Sequence, residues 1–309
     1  MDKNYVEPRL RRDFGGIITA YFEFVRYNYK GLFNSFIAYN GIFMILVLLF
    51  GYLFITNIVE YAVTQSNWVP GEDRSEMGAL AAGMSVILFF LVLGLASIFN
   101  YCIASAYISI YERDKENNVT RKAVWKKFKP KIWGMIVYII AAVTLYFVYF
   151  IVNIILAFIP ILGTLVSLLI ALGFNVWMGL TVFSYIHGDG NVFESFGEAW
   201  TLLFRSFWKS IGVNFVIGFI IQITLFALNM VPGVIMFLYV FNSVETNNGL
   251  EGDVFSQILI VVMMALFAIT FMLIQLFSQS VNGFLYFNLH EVRHNTYLRS
   301  RIDKLGEIT

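Results

Sequence analysis

"WGMIVYIIAAVTLYFVYFIVNIILAFIPILGTLVSLLIALGFNVWMGLTVFSYI", residues 133–186, contains no Asp, Glu, Lys, Arg or His. A helix needs roughly 20 apolar residues to cross about 30 Å of hydrocarbon, so this stretch is long enough for two crossings. Its middle reads "FIPILG", 158–163. Pro160 removes a backbone donor and Gly163 loosens the chain, which predicts a tight hairpin between spans at 133–158 and 161–186 rather than one very long helix.

The same criterion applied outward gives further near-uncharged runs at 36–59, 78–110, 211–241 and 254–287, six spans in all. The fifth admits two readings, because Pro232-Gly233 can either kink it or end it and leave 234–241 as an interfacial piece. Composition agrees with a membrane protein. The 309 residues are 59% apolar and 13% charged, against roughly 45 to 50% and about 25% in soluble domains. Mean hydropathy is +0.73. The net charge of +1 favours neither nucleic acid nor an acidic substrate. Cys102 is the single cysteine, so thiols within one copy build neither a disulfide nor a metal cluster. The opening "MDKNYVEPRLRRDF" carries acids and a proline, unlike a cleaved signal peptide.

Charge is segregated along the chain. Of 21 Lys and Arg, six precede the first span, eight lie between the second and third, two between the fourth and fifth, and four follow the sixth. Only Arg74 falls in an alternate connection. Cations favour the cytoplasmic side, so both termini are expected there. The sequon "NVT" at Asn118 then lies away from the glycosylation machinery.

Three segments on that side resemble one another: "AYFEFVRYNYKG" from Ala20, "VWKKFKPKIWG" from Val124 and "AWTLLFRSFWKS" from Ala199. Aromatics eight apart recur as Tyr21 and Tyr29, Trp125 and Trp133, Trp200 and Trp208. The predicted unit, used three times, is an amphipathic helix lying in the interface followed by a transmembrane hairpin. Indole and phenol rings prefer the headgroup layer, and cations reach phosphates there. Arg26, Lys30, Lys127, Lys131, Arg205 and Lys209 are therefore candidates for lipid headgroups, with plain anchoring of the helices as the alternative.

Inside the spans, charge is absent but amides are not. Gln275, Ser278, Gln279 and Asn282 recur at helical spacing and form one polar face on the sixth span. Asn100, Asn153, Asn175 and Asn214 are candidate partners for packing, while a groove for a substrate is the other reading. On the fourth span Gly163, Ser167, Ala171, Asn175 and Gly179 form a strip of small residues suited to close helix contact.

"LHEVRHNT", residues 289–296, spells His-Glu-x-x-His. A zinc hydrolase needs two imidazoles, a general-base carboxylate and a third ligand. His290 and His294 would be the imidazoles, Glu291 the base, and His187 or Asp189 from "HGDGN" the best third ligand, with Glu194 and Glu198 behind them. Against this, Arg293 places a cation inside the motif, and a cluster of His and Arg is an ordinary end for a helix at the inner leaflet.

The segments "RDFGGIITAYFEFVRYNYKGLF" from Arg12 and "YLRSRIDKLGEIT" from Tyr297 resemble those of an uncharacterised six-span family of Bacteroidetes inner-membrane proteins. More distantly, the helix-plus-hairpin pattern is similar to the membrane domain attached to some glycerophosphodiester phosphodiesterases. The resemblance covers most of the chain and implies a bacterial inner-membrane location and a helical bundle. It carries over no catalytic residue and no substrate.

The expected fold class is all-α: a polytopic transmembrane bundle of six spans, arranged as three repeats of interfacial helix plus hairpin. It should be one integral-membrane domain over 1–309, with a cytoplasmic arm at 1–35 and a cytoplasmic tail at 290–309. The expected function is a non-enzymatic accessory or scaffold protein associated with lipid. A permease or lipid transporter using the sixth-span amides is one alternative, and a membrane zinc metalloprotease using "HEVRH" is another. The expected partners are membrane lipids, other membrane proteins or further copies of the chain, with neither cofactor nor nucleic acid.

Overall fold

A computed structural model describes residues 4–66, 76–117, 119–245 and 254–295, with 297, 299, 302 and 303. Arg74, the Asn118 of the sequon and most of the tail lie outside the described residues. Within them every regular element is helical: α1 (Phe14–Ser66), α2 (Glu76–Asp114), α3 (Arg121–Phe128), a 3₁₀ turn (Lys129–Lys131), α4 (Ile132–Ala157), α5 (Leu162–His187), α6 (Val192–Arg205), α7 (Phe207–Glu245) and α8 (Val254–His294). Six helical stretches are long and apolar enough to cross a membrane. The chain is a polytopic membrane protein.

The central hairpin forms as the sequence predicts. Helix α4 ends at Ala157 and α5 begins at Leu162. At the tip, the Leu162 amide donates to the Pro160 carbonyl at 2.7 Å, and Ile161 sits at φ 61°, ψ −64°. This is a γ-turn of the strained, positive-φ kind. Gly163 is required beside it, because a Cβ there would lie 1.9 Å from the Leu156 carbonyl oxygen.

Helix α7 settles the fifth span. It runs unbroken through Pro232, so the proline does not end it and no separate piece forms after it. The lost donor deprives the Leu228 carbonyl of its helical partner, a loss that membrane helices tolerate.

The three aromatic segments take three different forms. The first does not make a separate helix: α1 continues from Phe14 past the start of the predicted span. The second is α3 followed by the 3₁₀ turn at Pro130. Thr120 caps α3 by accepting from the Ala123 amide at 3.4 Å. The third is α6, opened by an Asn191–Glu194 capping box and closed at Ser206 (φ −143°, ψ 49°). Their aromatic positions differ too, since Tyr21 is buried where Trp125 and Trp200 are exposed.

Contacts divide the chain into two compact units. One comprises Met1–Phe36, Tyr101–Ile220 and Leu276–Thr309, and contains the α4–α5 hairpin and α6. The other comprises Ile37–Asn100 and Ile221–Gln275. The second is built on an apolar core of Val47, Phe89, Val92, Leu93, Ala265 and Ala268. Two polar clips accompany that core: Asn40 donates to Asn100 at 2.7 Å and Asn229 to Thr270 at 2.9 Å. In hydrocarbon such amide bonds add roughly 0.6 kcal/mol each, so close packing carries most of the association.

The strip of small residues on α5 does not act as one face. Gly179 is buried against Asn282, Ser167 bonds Asn153 across the hairpin, and Asn175 is exposed. Spacing by four drifts around a helix of 3.6 residues per turn, so a strip five members long turns away from any one neighbour.

Candidate functional site

The polar residues of the first unit gather where α5 ends. Its C-terminal carbonyls need donors, and two lysines supply them. Lys127 donates to the His187 carbonyl at 3.0 Å and Lys131 to the Gly188 carbonyl at 2.9 Å. Lys131 also lies 4.8 Å from the Tyr185 ring centroid. Lys209 is similarly engaged, donating to the Arg12 carbonyl at 3.2 Å and to Asn288 Oδ1 at 2.8 Å. Of the six headgroup candidates, these three point into the protein. Arg26, Lys30 and Arg205 are exposed.

His187 is the centre of the cluster. Its Nδ1 is 2.9 Å from Ser109 Oγ and its Nε2 is 3.4 Å from Arg9 Nη2. A guanidinium can only donate, so Nε2 accepts and the ring proton sits on Nδ1, facing Ser109. That polarity is the reverse of a Ser–His nucleophile pair, in which the imidazole must accept from the hydroxyl. Arg9 also pairs with Glu112 at 2.7 Å and lies over the Phe287 ring at 5.2 Å.

Arg9 belongs to an arm that precedes α1 and is held by later helices. The Val6 amide donates to Tyr111 Oη at 2.7 Å, and that hydroxyl donates back to the Val6 carbonyl at 3.1 Å. Asn288 Nδ2 donates to the Leu10 carbonyl at 3.0 Å. Arg12 reaches the Glu7 carbonyl at 2.7 Å. Burial lowers the pKa of the Arg12 guanidinium, and the charge of Glu7 opposes that shift. Burial also raises the pKa of the Tyr5 phenol, with Glu7 adding to the effect.

Glu198 ties α6 to two other helices. One oxygen accepts from Tyr286 at 2.9 Å and the other from Ser184. Tyr286 in turn stacks on His290 at 5.9 Å between centroids, and the His290 and His294 rings lie 4.5 Å apart. Glu291 is buried and accepts from the Tyr297 amide at 3.0 Å. The ring nitrogens of His187 face Arg9 and Ser109, and Asp189 is exposed on a separate cleft of about 480 Å³ with Lys131, Tyr185 and Asn191. Among the described residues no three His, Cys, Asp or Glu side chains come together as metal ligands.

The amide face closes on partners other than those expected. Gln279 is fully buried, and its Nε2 donates to Ser105 Oγ at 2.8 Å and to the Gly179 carbonyl at 2.9 Å. Asn282 donates to Gln279 Oε1 at 3.0 Å. Asn153 bonds Ser167, Asn214 bonds the Ser210 carbonyl of its own helix, and Asn100 bonds Asn40. Gln275 is half-buried on the same helix, and Ser278 hydrogen-bonds Tyr101.

Beside this cluster runs an apolar groove of about 430 Å³. Val166, Leu169, Ile170, Gly173, Phe174 and Trp177 of α5 form one wall. The other is a ladder of rings: Trp177 to Trp200 at 5.1 Å, Trp200 to Phe204 at 4.3 Å, Phe204 to Phe207 at 5.3 Å and Phe207 to Trp208 at 5.4 Å. The Trp177 indole nitrogen donates to the Phe196 carbonyl at 3.0 Å, so its polar atom is satisfied. Every side chain lining the groove is aliphatic or aromatic, apart from one glycine.

Arg9, Ser109, Glu112 and Tyr286 were not singled out by the sequence. No motif marks any of them, and only the packing of the arm, α2, α5 and α8 brings them to His187. No family model matches the chain, and neither a curated protein nor a solved structure does so.

Proposed function

We propose that this polytopic membrane protein is a non-enzymatic, lipid-associated accessory or scaffold subunit of a bacterial inner membrane, with both chain ends cytoplasmic. One observation carries the reading: His187, Glu198 and Gln279 of the first unit are each bonded to neighbouring side chains or carbonyls, while a groove beside them is lined by apolar and aromatic side chains. His187 is held between Arg9 and Ser109, Glu198 between Ser184 and Tyr286, and Gln279 between Ser105 and Gly179. Such bonds rigidify a bundle and occupy these three side chains. Exposed Trp133, Trp200 and Trp208, and the exposed Arg205, suit a headgroup layer. The grouping of cations on alternate connections supports the orientation. The permease alternative would need Gln279 and Asn282 to face water, and their direct bonds count against it.

The test is native mass spectrometry of protein released from its own membrane in mild detergent. The expected result is a chain that retains lipid or a protein partner. A bare monomer under conditions that preserve known membrane complexes would overturn the proposal.

A further inference from the structure

We infer that the groove between α5, α6 and α7 holds one acyl chain of an anionic phospholipid from the surrounding bilayer, with Arg205 facing its phosphate. The inference rests on the lipid-associated reading and gives it a place and a ligand class.

Size is the first argument. A volume of about 430 Å³ falls within the range of roughly 300 to 1,000 Å³ usual for small-ligand sites. Depth is the second. From Val166 to Trp177 the α5 wall extends about 16 Å at 1.5 Å per residue, close to half of the about 30 Å hydrocarbon thickness. That length is about the reach of one acyl chain. The lining is the third argument. It contains no charged or amide side chain, so water entering it would find almost no hydrogen-bonding partners. An alkyl chain makes dispersion contacts with every wall.

Charge selects the class of lipid. Helix α6 ends at Arg205 and α7 starts at Phe207, two residues apart across the break at Ser206. Phe204 and Phe207 both line the groove, which puts an exposed guanidinium between two of its wall residues in sequence. Unlike Lys209, Arg205 makes no hydrogen bond or ion pair to a described residue. A guanidinium pairs with phosphate in a two-pronged geometry, and net negative charge on the headgroup strengthens the pairing. The indole of Trp208, 71% exposed, is on the next helix beside the same break.

The full-length protein is reconstituted in nanodiscs of mixed phosphatidylglycerol and phosphatidylcholine and released for native mass spectrometry. Wild-type protein is expected to keep one phosphatidylglycerol per chain in preference to phosphatidylcholine. Leu169→Trp fills the groove and should lower that retention about tenfold, equivalent to about 1.4 kcal/mol. Arg205→Gln should keep a lipid bound but lose the preference between headgroups. Val166→Trp is the second filling variant, used if Leu169→Trp does not reach the membrane folded. Unchanged retention and preference in a folded filling variant and in Arg205→Gln would overturn the groove assignment while leaving lipid association intact. Wild-type protein with no bound lipid would remove the lipid-associated reading together with this one. A bound protein released by Leu169→Trp would make the groove a protein-docking surface and overturn the proposal.

Discussion

Ile161 occupies the left-handed half of backbone space at the tip of the α4–α5 hairpin, where a β-branched side chain is crowded by its own backbone. Glycine pays no such penalty, so Ile161→Gly is expected to raise stability by about 1 kcal/mol, read as a higher thermal midpoint in detergent. Gly179 behaves in the opposite sense. A Cβ there would lie 2.0 Å from Asn282 Nδ2 and 3.0 Å from Gln279 Oε1, both on buried side chains. Gly179→Ala should therefore lower stability by about 2 kcal/mol, as overpacking of a filled site does. A midpoint unchanged from wild type would show that the amides have another place to go. At this scale the sequence was only partly readable. Pro160 and Gly163 announced the turn, but the γ-turn geometry falls on Ile161, a residue with no turn signature. The polar face of Gln279 and Asn282 was visible as spacing. Its partner Ser105 was not, because a serine within an apolar run carries no mark of what it meets, and Gly179 stood out only as a place for close approach.

At the scale of elements, the breaks between helices followed local chemistry. The 3₁₀ turn contains Pro130, and α6 starts at an Asn–Glu capping box and stops at Ser206. The first aromatic segment has no comparable breaker. It holds no proline and one glycine, Gly31 at its end, so helix α1 passes through it without interruption. This is why three similar sequences produce three different structures. The first residues of the arm before α1 are pinned by one hydroxyl, since Tyr111 Oη both accepts from and donates to Val6, while Asn288, Lys209 and Glu112 hold the residues after it. Tyr111→Phe leaves a buried amide and carbonyl unsatisfied, a loss of about 1 to 3 kcal/mol. The arm should then open without the bundle unfolding. Limited trypsin digestion should cut after Arg9, Arg11 or Arg12 several times faster in the variant, while the core fragment persists. Equal rates would show that the contacts of Glu112, Asn288 and Lys209 suffice to hold the arm.

For the whole molecule, six apolar crossings were legible because the membrane imposes length and excludes charge. The cluster at His187 was not legible, because it assembles from α2, α5, α8 and the arm, segments separated by up to hundreds of residues. Zinc spelling at His290 stood out only because its letters are contiguous. Orientation is checked by reporters. A fluorescent protein fused after Thr309 is expected to be bright and an alkaline phosphatase at the same point inactive, whereas a phosphatase inserted near Arg74 should be active. The reverse pattern would invert the membrane assignment.

The arm also dictates an order of events during synthesis. Residues 5–13 emerge from the ribosome before any helix, yet they rest on Tyr111, Lys209 and Asn288. Those contacts cannot all form until α8 has been made and inserted. A segment that precedes α1 is thus seated only after α8, and its docking reports that α8 is in place.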